Sequence, residues 1–156
     1  MKRNLLLSLV AMFIATSSFS QNFWCVLGSE EDAQPSRLLT VKISDGTIVE
    51  SIVVSSTDSS DDNTFVGFQG MTQHPTTGDV YVLYKLSQGK RFLGTMDMST
   101  GNITTIAETD SSLATIAFDN DGVLYAMEGE GSTQMYTIDI ATGAETAFHS
   151  FASSSS

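Results

Sequence analysis

One short motif returns three times along this chain, and it constrains the fold more than any other feature. Thr40-Val41-Lys42-Ile43-Ser44-Asp45-Gly46, Thr95-Met96-Asp97-Met98-Ser99-Thr100-Gly101 and Thr137-Ile138-Asp139-Ile140-Ala141-Thr142-Gly143 are separated by 55 and 42 residues. In each copy an apolar pair (Val41 and Ile43, Met96 and Met98, Ile138 and Ile140) alternates with threonine and a charged residue. Side chains alternate across a strand with period two, so each pair predicts one buried strand face. The glycine that follows predicts a turn in which a side chain would be crowded.

A second repeat precedes the later copies. Met71-Thr72-Gln73-His74-Pro75-Thr76-Thr77-Gly78-Asp79-Val80-Tyr81 returns as Ile116-Ala117-Phe118-Asp119-Asn120-Asp121-Gly122-Val123-Leu124-Tyr125, with Gly78 and Gly122, and Tyr81 and Tyr125, each 44 positions apart. After residue 20 the apolar residues show almost no helical period, and the segments are short, β-branched and punctuated by Gly, Asp, Asn and Ser. Units of about 22–55, 66–109 and 113–150 result, within a repeat domain spanning 21–150. The expected strands are Asn22 to Leu27, Arg37 to Ile43 and Thr47 to Val54 in the first unit. The second has Phe68 to His74, Asp79 to Lys85, Arg91 to Met98 and Asn102 to Glu108. The third has Leu113 to Asp119, Val123 to Glu128, Gln134 to Ile140 and Ala144 to Ser150. The first unit lacks a leading strand. The fold class is all-β: antiparallel, four-stranded, blade-like repeats forming a partial β-propeller of about three blades. A secreted β-sandwich built by hairpin duplication is the alternative, and it predicts one shared core.

Met71 to Tyr81, Ile116 to Tyr125 and Tyr136 to Gly143 resemble the strand–turn–strand signatures of bacterial exported β-propeller repeat proteins, the YVTN, NHL and quinoprotein-like repeats. The resemblance covers most of residues 22–150. It implies a propeller architecture and leaves the function open, because such repeats serve as binding scaffolds, interaction platforms and in some cases hydrolases or lyases. Closed propellers use about four to eight blades. Three blades therefore imply completion, either by further blades in a longer chain or by association of copies.

Lys2 and Arg3, the apolar run Leu5 to Ala15 and Ser18-Phe19-Ser20 together predict an export signal at 1–20. The run is shorter than the ~20 residues that a membrane helix needs, and nothing later in the chain is long enough to span. A lipoprotein would carry its cysteine at the cleavage point, whereas Cys25 lies beyond it. The expectation is a periplasmic or extracellular protein with Cys25 either buried in a strand or paired with another chain. The segment after residue 20 carries five Lys and Arg against 18 acids, a net of −13. That charge opposes phosphate backbones and anionic lipid, which argues against nucleic-acid and membrane partners and leaves a protein or glycan partner open. One cysteine and two histidines are too few for a closed structural zinc site.

Candidate sites are few. His74 and Asp119 share one repeat position, the end of the inner strand, where propeller enzymes gather catalytic groups at the channel mouth. Asp119 and Asp121 with Glu128 resemble a calcium loop, but the first ligand position is Ala117, and a plain Asp-Gly turn explains the same residues. Asp58, Asp61 and Asp62 form an acidic, serine-rich loop that offers oxygen for a weak calcium site or simply a solvated surface. Tyr81, Tyr84, Tyr125, Tyr136 and Trp24 suit either a sugar-stacking platform or, by their strand positions, core between blades. Gly129-Glu130-Gly131-Ser132 reads as a hairpin loop, and 151–156 as a serine-rich tail. With no complete catalytic constellation and no cofactor signature, the sequence favours an exported, non-catalytic binding module or envelope scaffold. The alternative is part of a propeller hydrolase or lyase whose site is completed by other blades.

Overall fold

The computed structural model describes residues 22–27, 36–57, 64–129 and 134–151. The expected signal segment 1–20, the acidic loop with Asp58, Asp61 and Asp62, and the tail beyond Phe151 lie outside the described residues. Within them, twelve strands and no helix form three separate sheets.

The first sheet is β1 (Asn22–Leu27), β2 (Arg37–Lys42) and β3 (Ile48–Val53), in that spatial order. The second runs β5 (Phe65–Gln73), β6 (Val80–Leu86), β7 (Arg91–Met96) and β8 (Asn102–Glu108), with the two-residue β4 (Ser55–Ser56) added outside β8. The third is β9 (Leu113–Phe118), β10 (Leu124–Glu128), β11 (Gln134–Ile138) and β12 (Glu145–Ser150). All pairings are antiparallel except β4 on β8. These are the expected four-stranded blades, the first with three strands and no inner one among the described residues.

The registers make the repeat exact in space. Phe23 pairs with Val41, Val80 with Met96 and Leu124 with Ile138, and these partners pair in turn with Ile48, Ile103 and Glu145. Phe23, Val80 and Leu124 are thus one position in three blades. Their neighbours Trp24, Tyr81 and Tyr125 are the next position and point to the opposite face.

Two hydrophobic clusters fill the junctions between blades. Val80, Val82, Tyr84 and Leu86 of β6, with Phe92, Met96 and Ile103, pack against Leu38 and Val54 of the first blade. From the other face of β6 and β7, Tyr81, Leu83 and Leu93 pack against Leu113, Ile116, Leu124, Ala126 and Ile138 of the third. Alternation along β6 therefore sends successive side chains into different cores, and its run of apolar and aromatic residues, broken by Lys85, follows from burial on both faces. Fully burying one such side chain contributes about 1.5–3 kcal/mol. Two cores between three sheets are the blade arrangement, and a sandwich with one shared core is not what the chain forms.

At the outer hairpins the first strand ends earlier than expected. Ile43, Met98 and Ile140 lie outside the strands, because Lys42, Asp97 and Asp139 already open the β2–β3, β7–β8 and β11–β12 turns. The strand β4 was not expected: Ser55 and Ser56 are polar and show no hydrophobic period. Its backbone is held by Gly101 and Ile103, whose carbonyls accept from the N–H groups of Ser55 and Thr57 at 3.2 and 3.1 Å.

Candidate functional site

The inner hairpins of the second and third blades carry the two candidate channel-mouth residues. In the third blade, Asp119 closes β9 and its Oδ1 accepts the backbone N–H groups of Asp121 at 3.0 Å and Val123 at 2.9 Å. In the second, His74 follows β5, and its Nδ1 accepts from Thr76 at 3.2 Å and Thr77 at 3.3 Å. The imidazole does for one turn what the carboxylate does for the other. Accepting at Nδ1 assigns the proton of the neutral ring to Nε2.

The structure also brings these two hairpins together. The His74 ring meets Phe118 edge to face with centroids 4.8 Å apart, and Phe118 meets Tyr81 in the same manner at 5.2 Å. The Thr72 hydroxyl lies 3.4 Å from the Phe118 backbone N–H that donates to it. Gly122, in the turn that Asp119 caps, has a φ of +83° and rests on the His74 ring. A Cβ there would stand 2.9 Å from His74 Nε2. Glycine is required twice over, by the left-handed backbone and by the close approach.

Asp45, Asp97 and Asp139 cap the outer hairpins in the same way. Asp45 accepts from the Thr47 N–H at 2.9 Å, Asp97 from the Ser99 N–H at 2.8 Å and its hydroxyl at 2.7 Å, and Asp139 from Ala141 and Thr142, both at 2.9 Å. These hydrogen bonds hold all three carboxyl groups below the ordinary aspartate range. Backbone bonding to Thr47 and to Thr142 leads for Asp45 and Asp139, and the Ser99 hydroxyl leads for Asp97. In the sequence Asp97 and Asp139 stood only as the charged members of the repeat, where the first copy has Lys42; the Asp-x-x-x-Gly spacing was the available sign of their capping role, and Asp45, directly before Gly46, does not share it.

A cleft of about 440 Å³ opens at the turn end of the second blade, with Asp79, Thr95, Asp97, Asn102 and Thr104 on its wall. Burial, and then the charge of Asp79, push the Tyr81 phenol above its ordinary value. Among the described residues, no three His, Cys, Asp or Glu side chains converge as metal ligands. Asp119 is already engaged in its turn, and Asp121 is exposed. Of the aromatic residues, Tyr84 and Tyr81 are core, Tyr125 and Tyr136 are half-buried, and Trp24 is exposed beside Phe23. Cys25 is a half-buried free thiol. Among the described residues no helix is long and apolar enough to cross a membrane.

No family model and no curated protein matches the sequence. Among solved structures, the chain is similar to a protein of Bacteroides fragilis NCTC 9343 named as a "putative 6-phosphogluconolactonase", at a TM-score of 0.40 and 13% identity. The alignment covers 82% of this chain and 38% of that one, so the chain spans well under half the length of the protein it matches.

Proposed function

We propose that the chain is an exported, non-catalytic propeller-type repeat module that binds a protein or glycan partner, or serves as a scaffold at the cell envelope. The observation that carries this reading is the use made of His74 and Asp119. One acceptor atom of each, His74 Nδ1 and Asp119 Oδ1, is engaged in turn hydrogen bonds. A general base must be within reach of a substrate proton, and the imidazole Nδ1 and Asp119 Oδ1 are directed at their own backbones. The signal-like residues 1–20 and the strong negative charge support export and disfavour nucleic acid as a partner.

The test pairs a turnover assay with a binding assay on the full chain. Sugar lactones, including 6-phosphogluconolactone, and polysaccharide substrates should be turned over no faster by wild type than by His74→Ala or Asp119→Ala. Calorimetry against envelope glycans and exported proteins should yield a ligand whose affinity both substitutions leave unchanged. Turnover above background that either substitution abolishes overturns the reading and favours a hydrolase or lyase. Retention of the chain in the cytoplasmic fraction of its host overturns the export part alone.

A further inference from the structure

The outward faces of the first and third blades are the two halves of a junction that the chain already forms twice. At the first internal junction, Val80, Met96 and Ile103 of the second blade face the first; at the second, Leu124 and Ile138 of the third face the second. The registers place Phe23, Val41 and Ile48 at these same positions in the first blade, directed away from the second. Val41 is buried there, but Phe23 is 46% exposed and Ile48 55% exposed, whereas Ile103 is fully buried.

The opposite end shows the reciprocal feature. Tyr81, Leu83 and Leu93 of the second blade seat the third. Their counterparts in the third blade are Tyr125, Met127 and Met135, which face outward with Phe148 packed on Tyr125 at 5.1 Å. Met127 is 37% exposed and Phe148 57% exposed, where Leu83 and Leu93 are fully buried.

The outer-hairpin glycines give an independent mark of the same junction. A Cβ on Gly101 would meet Ile52 and Val53 of the blade before it, and one on Gly143 would meet Ala107 of the blade before it. Gly46, their counterpart in the first blade, has nothing within 4 Å. Ile52 pairs with Leu38, Ala107 with Leu93 and His149 with Met135, so His149 in the third blade holds the position that a following glycine turn would abut.

We infer that a second copy of this chain docks head to tail, the third-blade face of one on the first-blade face of the other, with Gly46 of one copy against the β12 strand of its partner. The occupant is a second copy because that chain presents the matching face at the matching register, continuing the interface built twice within one chain. Two such contacts are equivalent and close a ring of six blades. The inference is independent of whether the module binds a glycan or a protein. With a formal net charge of −11 on each copy, association strengthens as salt screens the repulsion.

The experiment is light scattering and sedimentation of the full chain across protein and salt concentration. The expected species has twice the chain mass, with its population rising with salt. Gly46→Asn fits the single copy, because asparagine tolerates the left-handed backbone and the space is open. At the junction the same side chain collides, and association should weaken at least about tenfold, as it should in Ile48→Asp and Met127→Lys. Circular dichroism should show all three folded. Mixing Ile48→Asp with Met127→Lys should recover a two-chain species, since one intact face of each kind remains. A wild-type chain at single mass under every condition overturns the inference. So does a mixture that stays at single mass although wild type pairs, because the contact is then not head to tail.

Discussion

The phenol of Tyr84 and the hydroxyl of Thr105 lie 2.6 Å apart across the second blade, at the edge of a core that is otherwise apolar. The Ser56 hydroxyl joins the phenol at 2.9 Å, and Thr57 reaches Thr105 at 3.2 Å. This hydroxyl group fastens β4, the first stretch of chain leaving the first blade, to the outer strand of the second. Tyr84→Phe should cost about 0.5–1.5 kcal/mol in urea unfolding. Amide exchange should accelerate at Ser55 and Thr57 more than in β7. Equal acceleration throughout the blade would show that the phenol acts on the core and not on the fastening.

Gly122 and His74 should be energetically coupled. Gly122→Ala should lose about 1–3 kcal/mol, since the residue must hold a positive φ and its methyl would press on the imidazole. In a His74→Ala background the same change should cost less, because the ring is gone while the backbone penalty remains. The double-mutant cycle isolates the collision. Additivity within about 0.3 kcal/mol would mean that the ring yields freely.

The capping aspartates imply an acid-sensitive contribution to stability. Asp97 has its pKa lowered in the folded chain, chiefly by the Ser99 hydroxyl and then the Ser99 N–H. A carboxyl group depressed on folding stabilises above its unfolded value, 3.8 here, and loses that contribution as pH falls through the folded value. Wild type should therefore melt above Asp97→Ala at neutral pH, and the gap should close as pH falls below about 4. A gap that stays constant into acid would assign the effect to side-chain packing.

Leu83→Ala tests the second junction. Its side chain is fully buried between the second and third blades, so the substitution should cost about 2–5 kcal/mol. Limited proteolysis should then cut the third blade first. If the first blade were cut first, the blades would not be coupled through this face.

Much of the fold was legible because the signal was repeated. Asn22 to Leu27 and Asn102 to Glu108 were read from the sequence with the same ends that the strands have. The period-two pattern and the glycine turns carried that reading. β5 begins earlier than expected, at Phe65, because Phe65 packs on Phe68 and Tyr84, a contact made by tertiary neighbours and not by local alternation. β4 was illegible for the opposite reason: two serines gain their strand geometry wholly from β8. At the candidate site, the alignment of His74 with Asp119 was visible in the repeat, and the shared position drew attention to chemistry. That an imidazole nitrogen substitutes for a carboxylate as a turn acceptor emerged only with the atoms in place.

The two-faced burial of β6 bears on how the chain finds its pairing. In a strand with one wet face, a slip of one residue throws apolar side chains into water, and hydrophobicity alone rejects it. The apolar residues of Val80 to Leu86 would suffer little of that, since they are buried on both sides and only Lys85 is half-buried. Misalignment is instead penalised through the strand's polar groups, the phenols of Tyr81 and Tyr84 and the amine of Lys85. A slip would carry the Tyr84 hydroxyl away from Ser56 and Thr105 and bury it unpaired in the opposite core, and it would turn Lys85 onto the face that Tyr84 and Leu86 now fill. A strand buried on both faces thus owes its unique alignment to the few polar groups it carries.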